Sequence, residues 1–464
     1  MDREKKMCLC FSAIFFCMLL PVAAQESHTI TLQQAVDYAL QHNKALLNAK
    51  DKVTVSQKKL KESIAQGLPQ VEGSLDYMTY FNYELNIEFG PSGSSALAPP
   101  INYMLLDQGD YEVLKSIGQM FGSSEPIILD DQMSGKIGVS QLIFSKQYLT
   151  GIKMAKIARK LADQSVQLSE LDVKENVTNT YYAIVVNEHT LKIIDANLAN
   201  MNNVLQHTNN MYKAGIMEES DVDQIRIAVS QLKNTQKMLQ RMQQLSYNML
   251  KFQMGVAPDA HVVLADSLAQ LLSIIDSPEN LSRDFDITNT LSYRLMESQV
   301  LLSKQQLSLQ RGAYTPTVVG FYNYTEKFIT TAFDMNPNHL AGVSLKMPIF
   351  SSGVRSARVS QAKIELDIAQ RNREMVKDQM EIQKKQLLYN VQNALENYIT
   401  QKENVEIAGR VYKSIENKYR QGIASSLDLT QANTNLLTAE SNYLSSVLTL
   451  LQAQTAIKKL YNEL

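Results

Sequence analysis

The sequence predicts a mainly α-helical chain with pairs of long amphipathic strands, built from two copies of one unit. Three observations predict it. First, Met211-Tyr-Lys-Ala-Gly-Ile-Met-Glu-Glu-Ser-Asp221 returns as Lys418-Tyr-Arg-Gln-Gly-Ile-Ala-Ser-Ser-Leu-Asp428, 207 residues on, and Ile137–Phe144 is echoed by Val343–Phe350 at an offset of 206. Second, Pro and Gly are missing from long stretches of both copies. Third, the segments before those stretches alternate apolar and polar residues at the period of a strand. A strand-plus-long-helix unit present twice predicts a pseudo-symmetric assembly, not an enzyme domain with an appendage.

Residues 1–24 read as a secretory signal. Arg3, Lys5 and Lys6 precede an apolar run from Met7 to Leu20, and Val22-Ala23-Ala24 supplies small residues before Gln25. All three cysteines (Cys8, Cys10, Cys17) lie inside it, so the mature chain is expected to hold no disulfide and no thiol-ligated metal. Removing the signal takes three basic and two acidic residues from 45 and 47, leaving 42 against 45, a charge of −3. That balance argues against nucleic acid as the main partner. No later stretch is long and apolar enough for a transmembrane helix, so entry into a membrane would have to use strands.

The first repeat is assigned to 25–254. From Val71 to Phe89 odd positions are mostly apolar or aromatic and even positions mostly polar, which predicts one strand over about 70–89 between lipid and a watery lumen. The chain has no Trp, so Tyr77, Phe81, Tyr83 and Phe89 are the candidate interface aromatics. A partner strand is expected at 134–144. Pro69 and Pro316 lie 247 apart against 206 for the later strand echo, so the first copy holds about 41 extra residues, placed in the turn-rich segment 90–131.

A long helical hairpin should follow over 147–254, as helices 147–212 and 219–254, because no Pro occurs between Pro126 and Pro258. Gly215 and Gly422 suit left-handed helix ends, and Ser220-Asp221 and Ser425-Ser426 suit the next N-caps. Residues 255–284 read as a linker. The second repeat, 285–464, supplies a helix, strands at 317–330 and 340–350, and a hairpin over 354–461 as helices 354–419 and 426–461. Leu429, Ala432, Leu436, Ala439, Tyr443, Val447, Leu450 and Ile457 form a three-and-four seam. Asn433-Thr-Asn435 and Gln240–Gln244 are expected on wet faces, and Met238, Met242 and Met249 in a core. Four strands are too few to close a membrane barrel; either the chain oligomerises or the hairpins edge a soluble sheet.

Nothing points to catalysis. The six histidines are scattered, no phosphate-binding or nucleophile-elbow motif occurs, and Glu218-Glu219 and Asp130-Asp131 suit solvated turns. No cofactor is implied and the chain reads as a non-enzyme.

Thr31-Leu-Gln-Gln-Ala-Val-Asp-Tyr-Ala-Leu-Gln-His-Asn43, Leu68-Pro-Gln-Val71, Val343-Ser-Leu-Lys-Met-Pro-Ile-Phe-Ser-Ser-Gly353 and the two Tyr-x-x-Gly turns with a following Asp occur in one order along the chain. In these the chain resembles the TolC-type outer-membrane efflux proteins. The resemblance implies a homotrimer whose subunits each give four strands to a 12-stranded barrel in the outer membrane of a Gram-negative bacterium. The helices would continue it as a periplasmic tube, with 255–284 and the C-terminal tail as a belt and 90–131 as an external loop. It implies a passive channel joined to a periplasmic adaptor and an inner-membrane pump. By position, Ala214, Gly215, Ile216, Gln421, Gly422 and Ile423 match adaptor-facing tips. Asp221, Tyr419 and Asp428 match tip gate or selectivity positions, and the two aspartates equally suit helix starts. Gln431 and Ala424 depart from the family pattern, standing where relatives carry a second acid and an Arg. A periplasmic coiled-coil adaptor or scaffold is the alternative, and it has no need of the alternating strands.

Overall fold

A computed structural model describes residues 28–81, 83–85, 127–129, 131–273, 285–329 and 337–464. The expected signal, most of the external loop and part of the linker lie outside these residues. The chain forms two compact units, Lys59–Ala155 with Gln305–Lys363, and Met1–Lys58 with Lys156–Lys304 and Ile364–Leu464; each draws on both sequence repeats.

The smaller unit is organised by a four-stranded sheet. Strands β2 (Gln70–Met78), β5 (Gln132–Phe144), β7 (Thr317–Ile329) and β8 (His339–Lys346) lie in the order β2-β5-β7-β8, every neighbour antiparallel. Pairing in register sorts the side chains into two faces. Val71, Leu75 and Tyr77 share a face with Ile137 and Val139, then Tyr322 and Tyr324, then Val343 and Leu345. Glu72, Ser74 and Asp76 share the other with Lys136 and Ser134, then Asn323 and Thr325, then Ser344 and Lys346. The apolar face is open: Val71 and Val343, on the two edge strands, are each 68% exposed.

The alternation read as one strand over 70–89 is divided. β2 stops at Met78, Phe81 takes a left-handed backbone (φ 52°), and a separate strand β3 (Tyr83–Leu85) pairs with β4 (Ile127–Leu129). A bulky residue at positive φ cannot continue a pleat. Residues 86–89 lie outside the described chain. At the other edge β8 ends at Lys346 rather than 350, two residues before Pro348, which has no N–H to give a ladder.

The larger unit is helical. β1 (His28–Ile30) runs parallel to β6 (Val262–Leu264), and α1 (Leu32–His42) starts from a capping box in which Thr31 accepts from Gln34 N–H and Gln34 accepts from Thr31 N–H. Then come α2 (Lys44–Ala65), α3 (Lys146–Lys213), α4 (Glu219–Met254), α5 (Leu268–Ser273), α6 (Leu291–Gly312), α7 (Val354–Arg420) and α8 (Ser426–Leu460).

Tyr181 of α3 ties three distant segments together. Its fully buried hydroxyl donates to Asp266 at 2.8 Å, and Asp266 also accepts Leu32 N–H at 2.7 Å. Burial pushes the Tyr181 hydroxyl well above the ordinary tyrosine range. Around it Ala35 and Ala39 of α1, Ile184 of α3, Leu250 of α4 and Val447 of α8 form one core.

Two expectations about helix faces are corrected. Met238, Met242 and Met249 are 58%, 57% and 49% exposed, not core residues. Asn433 is buried, not wet; its side chain accepts from Asn197 Nδ2 at 2.7 Å. Helical spacing marks a face without saying what covers it.

Candidate functional site

The sequence-predicted site residues gather where α3 turns into α4 and α7 into α8. Both turns end the first helix the same way. Ile216 N–H reaches Met211 C=O and Gly215 N–H reaches Tyr212 C=O, each at 2.9 Å; Ile423 with Lys418 and Gly422 with Tyr419 repeat both bonds at 2.9 Å. This paired closure requires a left-handed residue at the glycine, and Gly215 and Gly422 have φ of 75° and 73°. The repeat is thus one local geometry written twice. Ala214, Gly215, Ile216, Gln421, Gly422 and Ile423 are all exposed.

The helices restart differently. Ser425 caps α8, its hydroxyl accepting Asp428 N–H at 3.1 Å while Asp428 Oδ2 accepts Ser425 N–H at 3.0 Å. At α4 the N-cap is Glu218, not Ser220-Asp221; Asp221 sits three residues in and accepts Glu218 N–H at 3.3 Å. Both aspartates therefore occupy the N3 position, where a carboxylate meets free N–H groups and the positive helix end. The Ser425 hydroxyl and N–H hold the Asp428 carboxyl below its ordinary range.

Tyr419 and Asp221 each bond from one hairpin to the other, and Asp428 does not. Tyr419 is 1% exposed, packed with Ile225, Val229 and Leu429. Its hydroxyl lies 2.6 Å from Thr208 Oγ1 and 3.6 Å from Met217 S, and burial raises its pKa first, with the Asp221 charge adding to it. Beside it the buried Ser426 hydroxyl faces Asp221 Oδ1 at 2.6 Å and Gln224 Oε1 at 2.9 Å. Farther along α3, Asn200 Nδ2 donates to Tyr412 Oη at 2.7 Å. These bonds join the first hairpin to the second inside one chain. Asp428 instead stays exposed on its own cap.

Sequence reasoning did not single out Thr208, Asn200 or the buried role of Ser426. Ser426 was visible only as a possible cap, and Thr208 and Asn200 had no local signal. Gln431 is exposed and bonds Asn435 at 2.9 Å, apart from these bonds. Among the described residues no three His, Cys, Asp or Glu side chains gather to hold a metal ion.

The profile described as outer membrane efflux protein matches residues 291–463. No curated protein matches the chain. Among solved structures, the outer membrane protein VceC of Vibrio cholerae is similar at 15% identity and a TM-score of 0.69, covering 93% of this chain and 96% of that one. The CmeC outer membrane channel of Campylobacter jejuni is similar at 15% identity and a TM-score of 0.70, covering 93% and 85%. The MtrE outer membrane channel of Neisseria gonorrhoeae, in its open state, is similar at 14% identity and a TM-score of 0.69, covering 93% and 88%. These likenesses establish the fold.

Proposed function

We propose that this chain, a member of the outer membrane efflux protein family with a TolC-type fold, is the outer-membrane channel of a tripartite efflux or export system. It conducts passively; an inner-membrane pump supplies the energy and a periplasmic adaptor bridges the two. The observation that carries this reading is the two-faced open sheet. Its edges, β2 and β8, have no further strand among the described residues, and they run in opposite directions because three antiparallel steps separate them. β8 of one copy can therefore pair with β2 of the next without breaking the alternation. Three copies of four strands give twelve, above the roughly eight that a membrane barrel needs. The apolar face would meet lipid and the Glu72–Asp76–Lys136–Lys346 face the lumen. No helix among the described residues is long and apolar enough to cross a membrane.

The tip carries the rest of the reading. Ile216 and Ile423, 67% and 71% exposed at equivalent turns, offer the adaptor two matching apolar knobs beside Ala214, Gly215, Gln421 and Gly422. Tyr419 and Asp221 hold the two hairpins of a subunit together and so favour a closed tip. Asp428, which makes no such bond, is the residue for a carboxylate ring that prefers cations. The test is fractionation followed by planar-bilayer recording. A detergent-extracted trimer from the outer membrane that conducts supports the channel; a monomer released with the soluble periplasm overturns it.

A further inference from the structure

We propose that neighbouring copies join along one seam, α7 of one subunit against α4 of the next, in a register set by Ile382 meeting the partner's Phe252. The proposal rests on the homotrimer reading above and adds which surfaces meet.

Exposure picks out the two helices. On α8 the large apolar side chain left open is Leu427, at the tip. By contrast α4 leaves Met249 and Phe252 open at 49% and 78%, and α7 leaves Met375, Ile382 and Tyr389 open at 67%, 69% and 61%. The α7 residues recur every seven positions, the spacing of a helix–helix seam.

The internal repeat says what should cover them. Because both hairpins are unbroken helix and their turns match at an offset of 207, α3 corresponds to α7 and α4 to α8 along their length. Three of the pairs by which α3 packs on α8 within the chain are Glu175 with Lys459 at 2.7 Å, Tyr182 with Thr455, and Asn197 with Asn433. Adding 207 to the first member and subtracting it from the second carries these onto α7 and α4. They become Ile382 with Phe252, Tyr389 with Asn248, and Asn404 with Arg226. No such pair can form inside one chain if α7 and α4 are the outer flanks, but each can form between copies arranged head to tail in a closed ring.

The side chains fit that mapping. At the counterpart of the Glu175–Lys459 ion pair both residues have become large and apolar together, Ile382 and Phe252, and both are open. Tyr182 and Tyr389 are the same residue at equivalent positions, yet one is 8% exposed and the other 61%. Val204 and Val411 repeat this at 7% and 48%. The second copy keeps the residue and lacks the cover. The mapping also excludes residues: Met238 and Met242 correspond to Ser445 and Thr449, which stay exposed, so those methionines fall outside the seam.

The test is site-directed cross-linking, clean because the chain's three cysteines all lie within residues 1–24. I382C/F252C, treated with a short bismaleimide in membranes, should give dimers and trimers on denaturing gels. I382C with M242C should not, and neither single variant should. A second set asks for the chemistry: I382E/F252E should lower the trimer fraction by about tenfold or more through like-charge repulsion, while I382E/F252K should restore it by rebuilding the Glu175–Lys459 pair. A trimer that fails to cross-link at I382C/F252C, or links equally through M242C, overturns the seam and leaves the channel standing. A wild-type chain that is monomeric overturns both.

Discussion

The hydroxyls of Thr208 and Tyr419 stand 2.6 Å apart, buried between the two helical hairpins of one subunit. Thr208 Oγ1 already donates to Val204 C=O at 2.9 Å, so in this pair it accepts and Tyr419 donates. The two partners are then unequal. Tyr419→Phe removes a donor and leaves a spare acceptor, costing about 0.5–1.5 kcal/mol. Thr208→Val strands a buried O–H whose other neighbour is the weak acceptor Met217 S, costing about 1–3 kcal/mol. Thermal unfolding of the detergent-solubilised protein should rank Thr208→Val below Tyr419→Phe. If the pair holds the tip shut, single-channel open probability should rise in the same order. Unchanged gating in both variants would remove Tyr419 from the lock.

Asp428 has two candidate roles that separate by substitution. As a cap it needs an acceptor oxygen and Ser425; as part of a ring it needs its charge. Ser425→Ala should therefore cost about 0.5–2 kcal/mol of stability and leave selectivity unchanged. Asp428→Asn should keep much of the cap and lower the cation-to-anion permeability ratio. The sign of the pH dependence follows from the depressed carboxyl pKa. The charge and its capping bonds are fully present above the ordinary value of 3.8 and are lost only as pH falls through the lower folded value. Cation preference should thus persist in recordings down to about pH 4. Selectivity that is equal in wild type and Asp428→Asn leaves Asp428 as a cap alone.

Which features were legible in the sequence follows from how local their causes are. Long helices showed as absent Pro and Gly, and the two turns as glycines that the left-handed geometry requires at 215 and 422. The sheet's faces showed because alternation is a property of the strand itself. The break at Phe81 did not, since its positive φ contradicts a residue type that favours strands. Glu218 was missed as a cap because the aspartate beside it advertises the helix start from the N3 position. Pairs such as Tyr181 with Asp266 or Ser426 with Asp221, 85 and 205 residues apart, leave no pattern in either segment. The three methionines of α4 failed for another reason: heptad spacing is the same for a stripe covered within the chain and for one that is not.

Buried tyrosines should make the helical unit sensitive to alkali. Tyr412 is 8% exposed, and burial, followed by the nearby Glu416 charge, pushes its pKa from 10.0 to about 12. The unfolded chain loses this proton first. The contribution is therefore intact below pH 10, and it is lost as pH rises through the folded value near 12. Denaturant midpoints should be flat up to pH 10 and fall above it. Tyr412→Phe should fall less steeply over that window, because one shifted proton has been removed. An identical slope would show that Tyr412 does not titrate as its burial requires.

Gly255 and Gly215 share a backbone conformation and differ in their surroundings, so alanine separates conformational strain from packing. Their φ values are 74° and 75°, a region that costs a residue with a Cβ about 1 kcal/mol. Around Gly215 nothing lies within 4 Å of an added Cβ, and that strain is the whole penalty. At Gly255 the same Cβ would sit 2.2 Å from the carbonyl oxygen of His42, at the end of α1. A backbone atom there cannot rotate aside. Neighbouring bonds hold it: Asn43 Nδ2 donates to Gln253 C=O at 2.6 Å, and Asn43 Oδ1 accepts Leu46 N–H at 3.0 Å. Relief would require α1 to move off the end of α4, breaking into the core formed by Ala35, Ala39, Leu250 and Met254. Overpacking of this kind adds about 1–3 kcal/mol or more to the strain. Gly215→Ala should then assemble normally with a small drop in melting temperature. Gly255→Ala should accumulate poorly and melt far lower, as followed by circular dichroism on detergent-purified protein. Equal melting temperatures would mean that α1 is not seated against Gly255.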